Sequence, residues 1–362
     1  MRDTFRLNNF DLLRLGAALQ VALEHATFHL EVQKGWWEHI LLLVPGVPIF
    51  FFISGFLISR SYESNSRLDE YFRNRTLRIY PALVVCTAFA LLSVAMVGYF
   101  ATVELSASHF VAWVLGQLTI VQFYNPDFMR AFGTGVLNGS LWTITVELQF
   151  YVLIPLLYWA LQQLERRRIG TNATLSVLTL VFLAAHVAFH SLGFADSEAI
   201  AAKLVKVSFL PWFYMFLVGV LAQRNFPALH RMLANRFWII GPAYLIGAVA
   251  CAQLFRLSAG NRIHPLLFVG LATAVFSSAY SRPQLAGQLL RHNDVSYGVY
   301  IYHIPVINLL MYYGLVGRVS YVVLAVAAAI ALAALSWFGV ERPAIKRKKH
   351  PLSPLTDAAA AP

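Results

Sequence analysis

An arginine and a histidine lie in the first apolar segment at a spacing that suits chemistry. Arg14 and His25 are eleven residues apart, which on an α-helix is about three turns plus 20°, or about 16 Å along the axis, so they share one face. A guanidinium group can hold a phosphate or carboxylate, and an imidazole can take a proton from a hydroxyl near neutral pH. We therefore include both among the candidate catalytic residues. A snorkelling arginine and a packed imidazole are the structural alternatives.

Three arginines stand together in the string YFRNRTLRIYP at 71–81. Arg75 and Arg78 are three residues apart and therefore neighbours on one helix face, and Arg73 precedes them. Because guanidinium groups match phosphate oxygens in geometry, we predict that these three residues, together with Arg14, bind the phosphates of a nucleotide-bearing donor. The alternative is a belt of positive charge at the cytoplasmic end of the segment.

A carboxylate lies within an otherwise apolar segment, in the string NGSLWTITVELQFY at 138–151. Glu147 must be paired or neutral at that depth. It could orient the imidazole of His25 or balance its charge, or it could pair with an arginine. Both possibilities stay open, and Glu147 is the third candidate catalytic residue. The chain has no G-x-S-x-G string, so a serine nucleophile elbow is not supported.

Three further ionisable residues occur in apolar segments. His29 is one helical turn beyond His25 and could share its face or reach the outer headgroups. Glu24 points about 100° away from His25 and could face another partner. The sequence assigns no role to His303, which lies in the string SYGVYIYHIPVI at 296–307.

The composition indicates that these residues are positioned by membrane-spanning helices. Of 362 residues, 59% are hydrophobic and 12% are charged, against about 25% charged in soluble proteins. The chain carries 28 Lys+Arg and 17 Asp+Glu, a net charge of +11. In a membrane protein this excess belongs to cytoplasmic loops facing anionic lipid or an anionic substrate. We therefore expect membrane lipids as partners and no nucleic acid.

The apolar segments predict an all-α, polytopic transmembrane bundle of about ten spans. One further piece, 107–124, reaches only about 26 Å at 1.5 Å per residue, short of the roughly 30 Å hydrocarbon core. We predict that it re-enters the membrane or lies against the bundle. The ten spans are 10–30, 41–59, 77–99, 140–160, 174–192, 203–222, 237–255, 263–280, 295–314 and 319–339.

The basic loops set the expected orientation. If 107–124 does not span, most arginines and lysines face the cytoplasm, and the positive-inside rule then places both termini there. An eleventh span is the alternative. The first apolar run is interrupted by charged residues and lacks a convincing A-x-A site, so we do not interpret it as a cleaved signal. We expect one membrane domain, 1–345, followed by a short cytoplasmic basic and Pro/Ala-rich tail, 346–362.

The two cysteines predict no special chemistry. Cys86 and Cys251 both lie in apolar segments, without a C-x-x-C or a zinc-ligand spacing. We therefore expect no disulfide and no bound metal. The sequence also shows no internal repeat, which disfavours the transporter folds that are built from repeats.

Five separated strings, in this order, resemble the acyltransferase family 3 membrane proteins, which include O-antigen and other polysaccharide O-acetyltransferases. The resemblance covers nearly the whole chain. In one string this chain reads TVELQFY where many members read SVExQFY, which keeps the carboxylate. The strings are FDLLRLGAALQVALEH, FFFISGFLIS, RTLRIYP, SLWTITVELQFY and SYGVYIYH.

The resemblance implies specific roles. His25 would be the catalytic centre, Arg14 would be required with it, and Arg75 and Arg78 would act on the donor side. Acetyl-CoA from the cytoplasm would be the donor, used as a substrate rather than as a permanently bound cofactor. The acceptor would be a hydroxyl of a carbohydrate or lipid-linked glycan, and the protein would lie in the bacterial inner membrane. We expect no C-terminal SGNH-type domain of the kind that some members carry.

Two other classes of protein share some of these features. A transporter or flippase for an anionic or lipid-linked substrate would also bury arginine, histidine and glutamate in a polytopic bundle. A non-catalytic scaffold of an envelope assembly would need none of them. The enzyme predicts a chemical change in its substrate, the transporter predicts movement alone, and the scaffold predicts that His25 is dispensable.

Overall fold

The computed structural model describes residues 7–33 and 35–348, and all regular secondary structure within them is helical. A single π-helical turn, Trp337–Glu341, joins the last two helices. The helices are α1 (Phe10–His29), α2 (Trp36–Leu43), α3 (Gly46–Ser64), α4 (Leu68–Met96), α5 (Ala107–Gln117), α6 (Trp142–Arg166), α7 (Thr171–Ser191), α8 (Ile200–Lys206), α9 (Phe213–Arg224), α10 (Phe226–Leu233), α11 (Phe237–Phe255), α12 (Pro265–Ala279), α13 (Leu285–Leu290), α14 (Ser296–Tyr312), α15 (Val319–Ser336) and α16 (Arg342–Ile345).

Six helical stretches in the described residues are long and apolar enough to cross a membrane. Several of them expose apolar side chains, as on α11, where Ile239 and Leu254 are 72% and 74% exposed. Such surfaces need lipid rather than water around them. The six stretches are Trp36–Ser64, Leu68–Met96, Gly139–Arg166, Thr171–Ser191, Phe237–Phe255 and Val319–Ile345.

Each of the ten predicted spans contains a helix, but ten membrane crossings remain a prediction because only six stretches meet the criteria of length and apolarity. The predicted span 203–222 starts too early in the sequence. Helix α8 ends at Lys206, and α9 begins only at Phe213. Pro211 lies in the interruption, where it cannot supply a backbone N–H to a continuing helix.

The piece at 107–124 is helical only over α5, Ala107–Gln117, and continues as turns. Re-entry into the membrane therefore stays a prediction. The loop that follows is fixed to α14 by Asn308, which donates to the Val136 and Leu137 carbonyl oxygens at 2.9 and 3.1 Å. Its Oδ1 accepts from the Thr134 backbone N–H at 2.8 Å.

Helix α1 carries Arg14 and His25 and packs against α3, α14 and α15. Its start is fixed by Asn9, whose amide donates to the Ser281 carbonyl oxygen at 2.9 Å and whose Oδ1 accepts from the Ala286 backbone N–H at 2.9 Å. A buried amide satisfied on both sides holds one register. The depth of both candidate residues in the bundle is thereby set.

Helices α3 and α9 touch through glycines. A Cβ atom added at Gly55 would lie 2.0 Å from the Phe216 carbonyl oxygen, and one added at Gly219 would lie 2.2 Å from the Phe52 carbonyl oxygen. Small residues allow such backbone contact between membrane helices. This contact positions α3, which supplies one wall of the site.

Candidate active site

Two arginines from different helices meet on one carboxylate. Arg78 Nη2 lies 2.5 Å and Arg14 Nη1 lies 3.6 Å from the same oxygen of Asp294. The other oxygen of Asp294 accepts from the backbone N–H of Ser296 at 3.2 Å. Burial alone would raise the pKa of the Asp294 carboxyl, but the guanidinium groups of Arg78 and Arg14 hold it below its ordinary value. The structure therefore brings together two arginines that the sequence treated as separate motifs.

Arg75 is held differently. Its Nη2 donates to Ser61 Oγ at 2.8 Å, and its guanidinium lies 5.7 and 5.6 Å from the ring centres of Tyr71 and Tyr151. Its Nε is buried without a hydrogen-bond partner. No salt bridge joins Arg75 to a carboxylate in the part of the chain that the structure describes. Arg75 therefore keeps donors available for an anionic ligand. We call Arg14, Arg75 and Arg78 the arginine cluster.

Arg73 does not join this cluster. Its side chain is exposed, and Nη2 lies 3.4 Å from the Arg347 carbonyl oxygen. Residues two apart on a helix point about 200° away from each other, so Arg73 and Arg75 cannot share a face. Arg73 does not line the cavity that Arg14, Arg75 and Arg78 line, and it contacts the C-terminal segment instead; a donor-binding role for Arg73 stays a prediction.

A cavity of about 390 Å³ runs inward from the arginine cluster, within the roughly 300–1,000 Å³ range that is typical of ligand pockets. At its inner end Thr143 Oγ1 and the Tyr300 hydroxyl lie 2.7 Å apart. Such a shape suits a ligand with an anionic end and an uncharged arm. Apolar lining residues include Val47, Phe50, Phe51, Leu57, Ile144 and Trp337.

The histidine pair lies just beyond the inner end of the cavity. His25 Nδ1 is 2.8 Å from His303 Nε2; His303 is 1% exposed, and His25 is half-buried. The ring of Tyr300, which lines the cavity, is 5.8 Å from the ring of His303. If the proton between the two histidines sits on His25 Nδ1, then His25 Nε2 is free to accept another proton. The arrangement therefore offers a base oriented by a second imidazole.

Glu147 has other partners. It accepts from the Tyr151 hydroxyl at 2.7 Å and from Ser54 Oγ at 3.4 Å. The hydrogen-bond partner of His25 is thus His303 rather than Glu147, and an orienting role for Glu147 stays a prediction. Glu147 still lines the cavity beside Arg75. Any catalytic role of Glu147 would therefore act through the cavity rather than through contact with His25.

The other candidates fall outside the histidine pair. Glu24 accepts from Gln20 Nε2 at 2.9 Å, in keeping with its different helix face. His29 is partly exposed, and its ring lies 6.0 Å from that of His25. Within the described ranges, no group of three or more His, Cys, Asp and Glu side chains is arranged to hold a metal ion.

Two residues of the site, Asp294 and Lys348, were not predicted from the sequence. Asp294 lies two residues before the start of the SYGVYIYH string, and an acidic residue at the start of an apolar helix would have been the signal for it. Lys348 lines the cavity although it was assigned to the predicted tail at 346–362. Residues 349–362 of that tail lie outside the described residues.

The fold and the site define a helical membrane protein in which an arginine-lined cavity leads to a histidine pair. A family model described as an acyltransferase domain matches residues 7–338. The chain therefore belongs to acyltransferase family 3 and is an O-acyltransferase. Membership confirms the resemblance seen in the five strings. It favours the enzyme over the transporter and the scaffold.

The chain is similar to named relatives over most of its length. It is 34% identical to Nodulation protein 10 of Rhizobium leguminosarum bv. viciae, over 94% of this chain and 93% of that protein. It is 26% identical to an O-acetyl transferase of Shigella phage Sf6, over 96% and 98%. Similarity to O-acetyltransferase OatA of Staphylococcus aureus (strain NCTC 8325 / PS 47) is 27% over 51% of this chain and 30% of that protein. No solved structure matches the chain significantly.

Proposed function

We propose that this protein transfers an acetyl group from acetyl-CoA to a hydroxyl of a carbohydrate or lipid-linked glycan, in the bacterial cytoplasmic membrane with both termini in the cytoplasm. One observation carries the proposal: a single cavity is lined by the arginine cluster at one end and, at the other, by Tyr300 beside His303. The names of the phage and staphylococcal relatives support acetyl as the group transferred.

The cavity suits the two ends of an acyl-CoA. Guanidinium groups form strong, forked hydrogen bonds with phosphate oxygens, and Arg75 has unused donors. The uncharged pantetheine arm would lie along the apolar walls and carry the thioester towards Tyr300 and the histidine pair. Acetyl-CoA is in this proposal a substrate that enters and leaves, and no permanently bound cofactor is invoked.

The chemical step uses His25 as general base. His25 Nε2 takes the proton of the acceptor hydroxyl while the hydroxyl oxygen attacks the thioester carbonyl carbon. A C–O bond forms, the C–S bond breaks, and the proton on His25 passes to the departing sulfur to give the free thiol of CoA. His303 accepts the hydrogen bond from His25 Nδ1–H and so keeps Nε2 free in the resting state. An acyl-histidine intermediate is the alternative route.

The acceptor approaches from the side opposite the arginine cluster. His25 is half-buried and His29, one turn further on, is partly exposed, so this end of α1 is open to a second substrate. A glycan hydroxyl needs a base to become nucleophilic, because its own acidity is far too low at neutral pH. The two substrates would thus meet at His25 from opposite ends of the bundle.

The direct test is acetyl transfer by the purified full chain in lipid nanodiscs. Acetyl-CoA labelled in the acetyl group is supplied with bacterial envelope glycan, and label is followed into the glycan fraction. Label that is alkali-labile, as an O-acetyl ester is, supports the proposal. Binding of acetyl-CoA without transfer of the label to glycan and without release of labelled acetate would overturn it.

Substitution at His303 tests its positioning role. His303→Leu removes the acceptor for His25 Nδ1–H and is expected to lower kcat about 100-fold, at the low end of general acid–base contributions. His303→Gln supplies a carbonyl oxygen in place of the ring nitrogen and should recover part of that loss. Both variants should keep the wild-type KM for acetyl-CoA. Equal losses in the two variants would show that His303 only fills space.

Substitution at Arg75 tests the donor end. Arg75→Ala is expected to raise KM for acetyl-CoA about 10- to 100-fold, since a hydrogen bond to a charged group contributes about 1.5–3 kcal/mol. Its present partners are neutral, so the apparent melting temperature should change little. Arg67→Ala is the control: its side chain is 67% exposed just before α4 and does not line the cavity, so KM should stay unchanged. A shift in KM for the Arg67 variant without one for the Arg75 variant would contradict the assignment of Arg75 to the donor end.

A further inference from the structure

A lysine from the far end of the chain lines the cavity beside the arginine cluster. Lys348 stands three residues beyond the last helix, α16, yet it contributes to the cavity that also contains Arg14, Arg75 and Arg78. Lys346, two residues earlier, is exposed. One residue of this basic segment is therefore turned inward while its neighbour is not.

The Lys348 side chain has no hydrogen-bond or salt-bridge partner among the residues that the structure describes. The carboxylate nearest to the arginines, Asp294, is already shared by Arg78 and Arg14. An ammonium group that is partly buried among guanidinium groups needs an anion. The charged and titratable groups facing it around the cavity are Asp11, Arg14, Arg75, Arg78, Glu147, Tyr151, His292, Asp294, Tyr297 and Tyr300.

A turn and a contact in the segment before Lys348 hold this lysine in place. The π-helical turn Trp337–Glu341 ends α15 and redirects the chain into α16, and Trp337 Nε1 donates to Asn293 Oδ1 at 2.9 Å. Arg73 Nη2 reaches the Arg347 carbonyl oxygen at 3.4 Å. The exposed arginine on α4 thus contacts the residue that precedes Lys348, and Lys348 itself lines the cavity.

We propose that Lys348 is a fourth cation of the donor site, which binds phosphate oxygens of the donor, so that the enzyme selects a phosphorylated acyl-CoA over acyl-pantetheine. This rests on the proposed function and narrows its substrate class. Four cations converge on one cavity mouth, whereas the thioester and the pantetheine arm carry no negative charge that would need them.

The charge state of Lys348 should respond to the ligand. Burial, together with the guanidinium groups of Arg78, Arg75 and Arg14, lowers the pKa of Lys348 to about 7. Without a ligand, the lysine therefore loses its proton as the pH rises through 7. Phosphate oxygens nearby favour the charged form, so donor binding above pH 7 should be accompanied by proton uptake.

The main experiment compares two donors that share the thioester. Lys348→Ala is expected to raise KM for acetyl-CoA about tenfold, which corresponds to about 1.4 kcal/mol, and to leave KM for acetyl-pantetheine unchanged. Lys348→Arg should stay within about threefold of wild type for both donors. Lys346→Ala, the exposed neighbour, is the matched control and should alter neither constant. All proteins are full-length and in nanodiscs.

The outcomes separate this proposal from the proposed function. An equal rise in KM for both donors, or no rise for acetyl-CoA, would overturn the role of Lys348 while acetyl transfer itself stands. Wild-type protein that uses acetyl-pantetheine as well as acetyl-CoA would overturn the selection of a phosphorylated donor. Failure of the wild type with both donors would refute the proposed function.

Calorimetry gives a second readout that does not depend on turnover. CoA binding to wild type at pH 8, measured in buffers of different ionisation enthalpy, should take up about one proton. The uptake should fall towards zero at pH 6, where Lys348 is already charged, and should be absent in Lys348→Ala at pH 8. Uptake that is unchanged in Lys348→Ala would assign the proton to another group and contradict the proposal.

Discussion

Replacing His25 by alanine is expected to abolish acyl transfer while the protein still accumulates, folded, in the membrane. A general base contributes about 10²- to 10⁴-fold to the rate. His303 cannot take its place because it is 1% exposed and lies behind His25. The measurement is acetyl transfer to glycan by purified variants, normalised to protein that binds acetyl-CoA.

His29→Ala is the matched control for this prediction. It removes an imidazole one turn away on the same helix, with its ring 6.0 Å from that of His25, and we expect transfer within about threefold of wild type because positioned bases act only within hydrogen-bond reach. Retention of full activity by His25→Ala would remove His25 from the mechanism. A collapse in membrane abundance of His25→Ala would instead indicate the packed, structural imidazole.

The two routes of transfer differ in a further observable. Direct transfer leaves no labelled protein, whereas an acyl-histidine intermediate should be trapped when acetyl-CoA is mixed with wild type in the absence of acceptor and rapidly quenched. Mass spectrometry of the peptide containing His25 would distinguish them. With the shared proton on His25 Nδ1, as the proposed mechanism has it, His25 Nε2 is the reacting atom in both routes.

The helical part of the site could be predicted from the sequence because the periodicity of one helix fixes relative directions. Arg14 and His25 share α1, where Arg14 belongs to the arginine cluster and His25 to the histidine pair. The i, i+3 relation of Arg75 and Arg78 likewise puts both on the cavity. By the same rule Arg73, two residues before Arg75, points about 200° away from it and lies off that helix face.

The contacts between helices could not be predicted, because they depend on which faces meet. Nothing in the sequence pairs His25 with His303, which is 278 residues away, or directs Arg78 to Asp294, 216 residues away. Lys348 was misassigned for a related reason. A basic run after an apolar segment is usually solvated, and only the turn at Trp337–Glu341 and the contact made by Arg73 bring it back to the cavity.

Span boundaries show where local composition misleads. The predicted span 203–222 contains Lys203, Lys206 and Pro211, and the helix is broken between Lys206 and Phe213. In the break, the Phe209 backbone N–H donates to Gln149 Oε1 at 2.9 Å. The Pro211 carbonyl oxygen lies 2.9 Å from His186 Nδ1. Polar side chains from other helices thus satisfy backbone groups that a continuous helix would have paired internally.

Asp294→Asn is expected to lower the free energy of unfolding strongly. The loss should exceed that caused by removing an exposed contact of Arg14 or Arg78. Asp294, Arg78 and Arg14 have side-chain exposures of 10%, 17% and 21%. Removing one partner of a buried ion pair costs about 3–5 kcal/mol because uncompensated charge is left behind. The asparagine keeps the size of the side chain and can still accept from Ser296, so the change isolates the charge.

The measurement is the apparent melting temperature of purified variants, with CoA binding recorded in parallel. Asp11→Asn is the matched control: it also faces Arg14, at 3.7 Å, but its side chain is 49% exposed, and exposed ion pairs contribute only about 0–1 kcal/mol. Added CoA should restore part of the lost stability in Asp294→Asn, since its phosphates would supply the missing negative charge between the two guanidinium groups. A melting temperature equal to that of wild type would show that Asp294 does not hold the arginine cluster together. Loss of stability without rescue by CoA would separate the structural role of the cluster from donor binding.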